Sequence, residues 1–103
     1  MSKLQTISDL NRVIHEPSRL LLITLLSTVE SADFRFLLKE SRLTRGNLSA
    51  HMSRLEEAGY VHVTKTFRGK VPYTEYSLTQ EGKAAFDLYR KRLSSVFDLE
   101  EEN

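Results

Sequence analysis

Between Arg42 and Thr74 the chain concentrates Thr44, Arg45, Asn47, Ser49, Ser53, Arg54, Lys65, Arg68, Lys70 and Thr74. These are cations and short hydrogen-bonding side chains. Guanidinium and ammonium groups pair with phosphate oxygens, and Arg, Asn and Ser also bond the edges of bases. The same stretch holds six basic residues (Arg42, Arg45, Arg54, Lys65, Arg68, Lys70) against two acidic ones (Glu56, Glu57), a net +4. The other residues of the 103-residue chain carry nine basic and twelve acidic groups, net −3, so the overall charge of +1 hides a basic middle. A localised cationic stretch is what a phosphate-facing surface looks like, whereas near-neutrality argues against indiscriminate binding of polyanions.

Other chemistry finds little to work with. Cysteine is absent, which removes disulfides, thiolate metal sites and thiol nucleophiles together and fits a reducing compartment. His15, His51 and His62 are scattered without an acidic cluster beside them, so no metal site is expected. No Gly-rich phosphate loop, serine elbow or suitably spaced carboxylate pair occurs, so neither a catalytic set nor a cofactor is expected. No apolar run approaches the ~20 residues of a membrane span, and Met1 to Ile7 lacks the apolar core of a secretory signal. A soluble, cytoplasmic, non-enzymatic protein is the expectation.

The elements that would position the basic middle follow from periodicity. Leu4, Ile7, Leu10 and Ile14 recur at three- and four-residue steps, predicting an N-terminal helix over 4–15 that stops before Pro17. Pro17 suits the first turn of a second helix, reaching about Val29 and apolar on almost every side, hence the most buried element. Glu30 to Asp33 breaks the pattern and offers capping side chains for a third helix from about Asp33 to Ser41. Arg42-Leu43-Thr44 is a short turn. Thr44 then caps a fourth helix with Leu48, Met52 and Leu55 inward, closed by Gly59. Two short helices joined by such a turn form a helix-turn-helix unit.

From Tyr60 the period changes to two. Val61, Val63 and Lys65 alternate with His62 and Thr64 in one strand, and Thr74 to Leu78 forms another. Arg68-Gly69-Lys70-Val71-Pro72 turns between them, giving a β-hairpin with a basic tip. Thr79 caps a last helix over 80–97 with Phe86, Tyr89, Leu93 and Val96 as its apolar seam, and the acidic end from Asp98 to Asn103 is expected to fray. The expected fold is mainly α with a small hairpin (α+β), one domain over 1–103 with the helix-turn-helix and hairpin in 17–79.

With Leu48, Met52 and Leu55 inward, the fourth helix turns Arg45, Gly46, Asn47, Ser49, Ala50, Ser53 and Arg54 outward, with no bulky apolar side chain and no carboxylate before Glu56. Such a face suits the major groove, entered by the N-terminal half, where free N–H groups also receive a phosphate. Four segments in this order resemble a known group: Leu43 to Ser49, Leu55-Glu56-Glu57-Ala58-Gly59-Tyr60-Val61, Phe67 to Pro72, and Tyr76-Ser77-Leu78-Thr79-Gln80-Glu81-Gly82. They are similar to winged helix-turn-helix regulators related to the MarR and ArsR families, in particular short members without a ligand domain, over about Pro17 to Leu93. The resemblance implies a transcriptional regulator that binds double-stranded DNA through Thr44, Arg45, Asn47, Ser49, Ala50, Ser53 and Arg54 and through a wing of Lys65, Arg68, Gly69, Lys70 and Thr74. The alternative is a winged helix that docks proteins without touching DNA.

One such domain buries little surface on DNA, so a homodimer reading a palindromic operator is expected, most simply as a repressor. Its interface is expected on the two terminal helices, at Leu4, Ile7, Leu10 and Ile14 and at Phe86, Tyr89, Leu93 and Val96. The alternative is that both stripes fold back on the chain's own core. An unknown small-molecule effector remains open, with a cleft between Leu10, Leu21, Phe86 and Tyr89 as its place.

Overall fold

The structure, a computed structural model, describes Lys3 to Asp98. The side chain of Leu4 and the acidic end beyond Asp98 lie outside the described residues. The chain runs α1 (Lys3–Ser8), α2 (Pro17–Ser27), β1 (Ala32–Asp33), α3 (Phe34–Ser41), α4 (Arg45–Glu57), β2 (Val61–Arg68), β3 (Val71–Leu78) and α5 (Gln80–Phe97). The fold is helical with a three-stranded antiparallel sheet in the order β1-β3-β2, which is the winged-helix arrangement. No helix of the described residues is long and apolar enough to cross a membrane.

Most expected elements are present, and three differences have a local cause. The N-terminal helix ends at Ser8 and does not reach residue 15. Asn11 diverts the chain: its side-chain carbonyl accepts from the N–H groups of Val13 (3.0 Å) and Ile14 (3.2 Å), so side-chain bonds replace the helical ladder. The amide of Asn11 also donates to the Tyr60 hydroxyl at 2.7 Å, tying this segment to the start of β2. Second, Ala32 and Asp33 form a short strand paired with Tyr76 and Glu75. A two-residue strand carries no periodicity by which to be read. Third, the hairpin ladder extends to the pair Arg68↔Val71, so the turn is only Gly69-Lys70. Gly69 has φ +64° and no positive φ occurs at Lys70, the pattern of a two-residue turn with glycine first.

Caps set where the helices begin. Asp33 receives the N–H of Phe36, Thr44 that of Asn47, and Thr79 that of Gly82. Arg42 closes α3 in the left-handed region (φ +59°), a conformation unusual for a side chain of its size, and this bend aims α4 across α3. Gly82 opens α5 directly against the Tyr60 carbonyl, where a Cβ would clash with the backbone. This close approach lets α5 leave from the corner between α4 and β2. The core is built from Leu10 and Ile14, Leu22, Ile23 and Leu26 of α2, Leu37 of α3, Leu48, Met52 and Leu55 of α4, the sheet residues Val61, Tyr76 and Leu78, and Phe86 and Tyr89 of α5.

Glu16 caps α2 with both carboxylate oxygens, accepting from the N–H groups of Ser18 (3.0 Å) and Arg19 (2.9 Å). Partial burial by itself would raise its pKa. The two N–H bonds and the electrostatic influence of the neighbouring His51 and Arg19 side chains outweigh that and hold the carboxyl below its ordinary 4.5. A depressed folded pKa adds stability that is complete above the unfolded carboxylate range and lost as pH falls through the folded value. Glu16→Ala should therefore cost about 0.5–2 kcal/mol near neutral pH, in the range of lost N-caps. The gap to wild type, measured by urea unfolding, should shrink once the pH drops below the carboxylate range. A gap independent of pH would show that the charge of Glu16 contributes nothing.

Candidate nucleic-acid interface

The inward triad of α4, Leu48, Met52 and Leu55, is at most 2% exposed, so the opposite face is fixed by elimination. Arg45, Gly46, Asn47, Ser49, Ala50, Ser53 and Arg54 are all exposed there, as is Thr44 at the cap. Thr44 Oγ1 accepts the Asn47 N–H at 3.1 Å, and its hydroxyl proton stays free to donate. No heavy atom comes within 4 Å of where a Cβ on Gly46 would stand, so the first turn of the helix is open to an approaching backbone. Glu56 and Glu57 sit at the far end, which biases the approach of a polyanion toward the Arg45 end.

The wing supplies the second set of cations. Lys65, Arg68, Gly69 and Lys70 are exposed and Thr74 is half-buried. Arg68 lies over the Tyr73 ring with its guanidinium carbon 3.8 Å from the centroid, and the Tyr73 hydroxyl donates to Glu75 at 3.1 Å. Desolvation and that bond to a carboxylate push the Tyr73 pKa up, so the phenol keeps its proton. Stacking on a hydrogen-bonded ring gives the Arg68 head a preferred position before any partner arrives.

Helix and wing meet across one open cleft of about 670 Å³, with Arg45 and Arg35 on the helical side and Arg68, Tyr73 and Thr74 on the wing side. Arg45 is itself held 5.7 Å above the Phe34 ring. The cleft thus gathers Arg45, Arg68 and Thr74 from the expected contacts. Asn47, Ser49, Ala50, Ser53 and Arg54 lie along α4, and Lys65, Gly69 and Lys70 along the wing, outside the cleft lining. Arg35 is the addition that only the fold reveals. Arg35 sits in the first turn of α3, next to β1, and the unreadable β1 strand is what brings it beside β3.

The histidines and the terminal stripes settle differently. His51, on α4, faces α2: its Nδ1 receives the Arg19 guanidinium at 3.2 Å and stands 3.5 Å from Glu16. Arg19 also donates to the Val13 carbonyl at 2.6 Å, so one side chain joins the 9–16 segment, α2 and α4. His15 Nδ1 pairs with the Tyr89 hydroxyl at 2.8 Å, and His62 is exposed. No three His, Cys, Asp or Glu side chains converge among the described residues. The expected interface stripes are corrected in part. Leu10, Ile14, Phe86 and Tyr89 are 7% exposed or less and belong to the protomer's own core, because the turn at Asn11 folds the first two inward. Ile7 is exposed, and Leu93 and Val96 are half-buried. The cleft expected among Leu10, Leu21, Phe86 and Tyr89 is likewise filled: three of the four are in the core, while Leu21 points to solvent.

The pattern of the winged helix DNA-binding domain family matches residues 18–97, most of the chain. The chain belongs to that family. An uncharacterized protein of Methanocaldococcus jannaschii is 33% identical over 79 residues, 76% of this chain and 85% of its own length. A transcriptional regulator homologue from Pyrococcus horikoshii OT3 superposes with a TM-score of 0.85 at 28% identity, covering 95% of this chain and 96% of that one. A protein assigned to the MarR family of transcriptional regulators from Enterococcus faecalis V583 superposes with a TM-score of 0.70 at 25% identity, covering 99% and 88%. This winged helix protein is thus a DNA-binding regulator by family and by fold, with MarR-type regulators among its structural neighbours.

Proposed function

We propose that this winged helix protein is a sequence-specific transcriptional regulator that binds a palindromic operator as a homodimer, α4 reading the major groove while the wing lies over the adjacent backbone and minor groove. The reading rests on one observation: Arg45 at the start of α4 and Arg68 on the wing line the same cleft beside an outward helix face free of large apolar side chains. Arg45, Asn47, Ser49, Ser53 and Arg54 are the candidates for base and phosphate contacts, and Ala50 leaves room for a thymine methyl. Lys65, Arg68, Lys70 and Thr74 serve the backbone, with Gly69 allowing close approach.

The dimer surface on this reading comprises the parts of the terminal helices that the core leaves uncovered. These are Ile7 on α1 and Leu88, Val96 and Phe97 on α5, of which Phe97 is 74% exposed, together with the open side of Leu93, whose other side packs against the core. Binding a palindromic operator requires that pairing to set the two α4 helices about one turn of DNA apart, ~34 Å. Repression by occluding polymerase is the simplest consequence. A small-molecule effector, compatible with the same reading, has no residues assigned to it.

The test is an anisotropy titration of random-sequence duplex at several salt concentrations, with light scattering on the free protein. The logarithm of affinity should fall linearly with that of salt concentration, with a slope of about −0.9 for each phosphate bound, and the mass should be that of two chains. Absence of binding even at low salt would sink the DNA reading and favour a protein-docking winged helix. A single-chain mass in a protein that still binds would remove the homodimer alone.

A further inference from the structure

The wing carries a feature that phosphate binding does not use. Phe67 is 71% exposed and Val71 54%, within two residues of the turn on either side. Neither side chain is taken up by the core. Phe67 stands directly across from Pro72 in the β2–β3 ladder. Because side chains alternate along each strand, this pair shares a face with Lys65 and Thr74, while Arg68 and Tyr73 occupy the other face. The tip is therefore two-sided, with an aromatic–proline wedge on one face and a stacked arginine on the other. Lys65 shares the face of the wedge, Lys70 stands in the turn beyond it and Arg68 lies on the reverse face, which matches the tip to a polyanion. An apolar patch on a neutral protein partner would be better met by an uncharged rim.

We infer that Phe67, backed by Pro72, is a wedge that enters the minor groove at a base step, partly unstacks it and bends the duplex. Apolar side chains inserted at such steps kink DNA toward the major groove, and pyrimidine–purine steps yield most easily. The ladder of eight paired positions closed by a two-residue turn makes the wing a stiff arm, so the wedge does not fold away under load. The consequence is specificity at a position that α4 never touches: the operator should carry a flexible step at a fixed distance from the bases that α4 reads. This inference rests on the DNA-binding reading above and extends it.

The experiment uses a duplex recovered by selection from a random pool with the wild-type protein, labelled at its ends with donor and acceptor dyes. Energy transfer reports the bend, and 2-aminopurine placed at the selected flexible step reports unstacking. Wild type should raise both signals. Phe67→Ala should lose both and weaken binding about tenfold, the order expected for removing one stacked base, with the salt slope unchanged because no cation is removed. Phe67→Leu should keep most of the bend. The position is exposed, so circular dichroism should show both variants folded. A wild-type complex that binds with the expected salt slope but leaves the duplex straight overturns the wedge and spares the function. The same holds for a Phe67→Ala complex as bent as wild type. Failure of the wild type to bind any duplex overturns both.

Discussion

Replacing Arg45, Arg68 and Lys70 together by alanine should leave the fold intact and flatten the salt dependence of DNA binding. All three side chains are exposed, and none pairs with a carboxylate among the described ion pairs. Their removal therefore strands no buried charge, and the stability loss should stay at about 1–2 kcal/mol, the two cation–π contacts of Arg45 and Arg68 being worth about 0.5–1 kcal/mol each at exposed sites. Each phosphate that no longer meets a cation should reduce the slope of log affinity against log salt by roughly 0.9 unit. Two copies on one operator would double the change. The effect should be of similar size on random and on selected duplex, because phosphate pairing carries no sequence information. Asn47→Ala offers the contrast, since removing a hydrogen bond to a base should weaken the selected duplex and spare the random one. A triple variant with the wild-type slope would mean that the cleft between α4 and the wing does not face DNA.

Leu48→Ala should have the largest effect on stability. Leu48 is fully buried one turn into α4, among Met52, Leu55 and the α2 and α3 side chains of the core. Truncating a buried leucine costs about 2–5 kcal/mol through lost burial and the cavity left behind. Small domains hold only about 5–15 kcal/mol in total, so the variant should be marginal, with a urea midpoint far below wild type. DNA binding should fall with it, because Leu48 is what seats the helix whose other face carries Arg45, Asn47 and Ser49. Saturating DNA should recover part of the lost stability by mass action. Ser49→Ala, one residue away and exposed, should leave the midpoint unchanged. Equal midpoints for Leu48→Ala and wild type would show that α4 is not seated as described.

Helix starts were legible because they depend on neighbours in the chain. Pro17 begins α2, and Asp33, Thr44 and Thr79 each accept the N–H group three residues on. The α4 and α5 boundaries and the inward triad of α4 agree with the periodic reading for the same reason. The N-terminal helix misled because Leu4, Ile7, Leu10 and Ile14 keep helical spacing through a segment that Asn11 bends into turns. Spacing records which residues face inward and does not record the path between them. The terminal stripes misled similarly: apolar residues at helical steps show that a face is covered, but not whether the chain's own core or a second copy covers it. Leu10, Ile14, Phe86 and Tyr89 are covered from within.

The cleft was legible only in half. Arg45 and Arg68 stand out as cations on a helix start and a hairpin tip. Arg35 does not, because what makes it relevant is β1 pairing with β3 over two residues, a meeting of positions more than forty apart in the chain. The sequence by itself determined the order of elements, the caps, the polar outward face of α4 and the basic wing, since these follow from local hydrogen bonding and from period. Only the tertiary structure decided that Arg35 joins Arg45 and Arg68 in one cleft, that His51 turns away toward Arg19 and Glu16, and that Phe67 stays in solvent. Those outcomes depend on which distant surfaces meet, and no pattern of spacing along the chain encodes that.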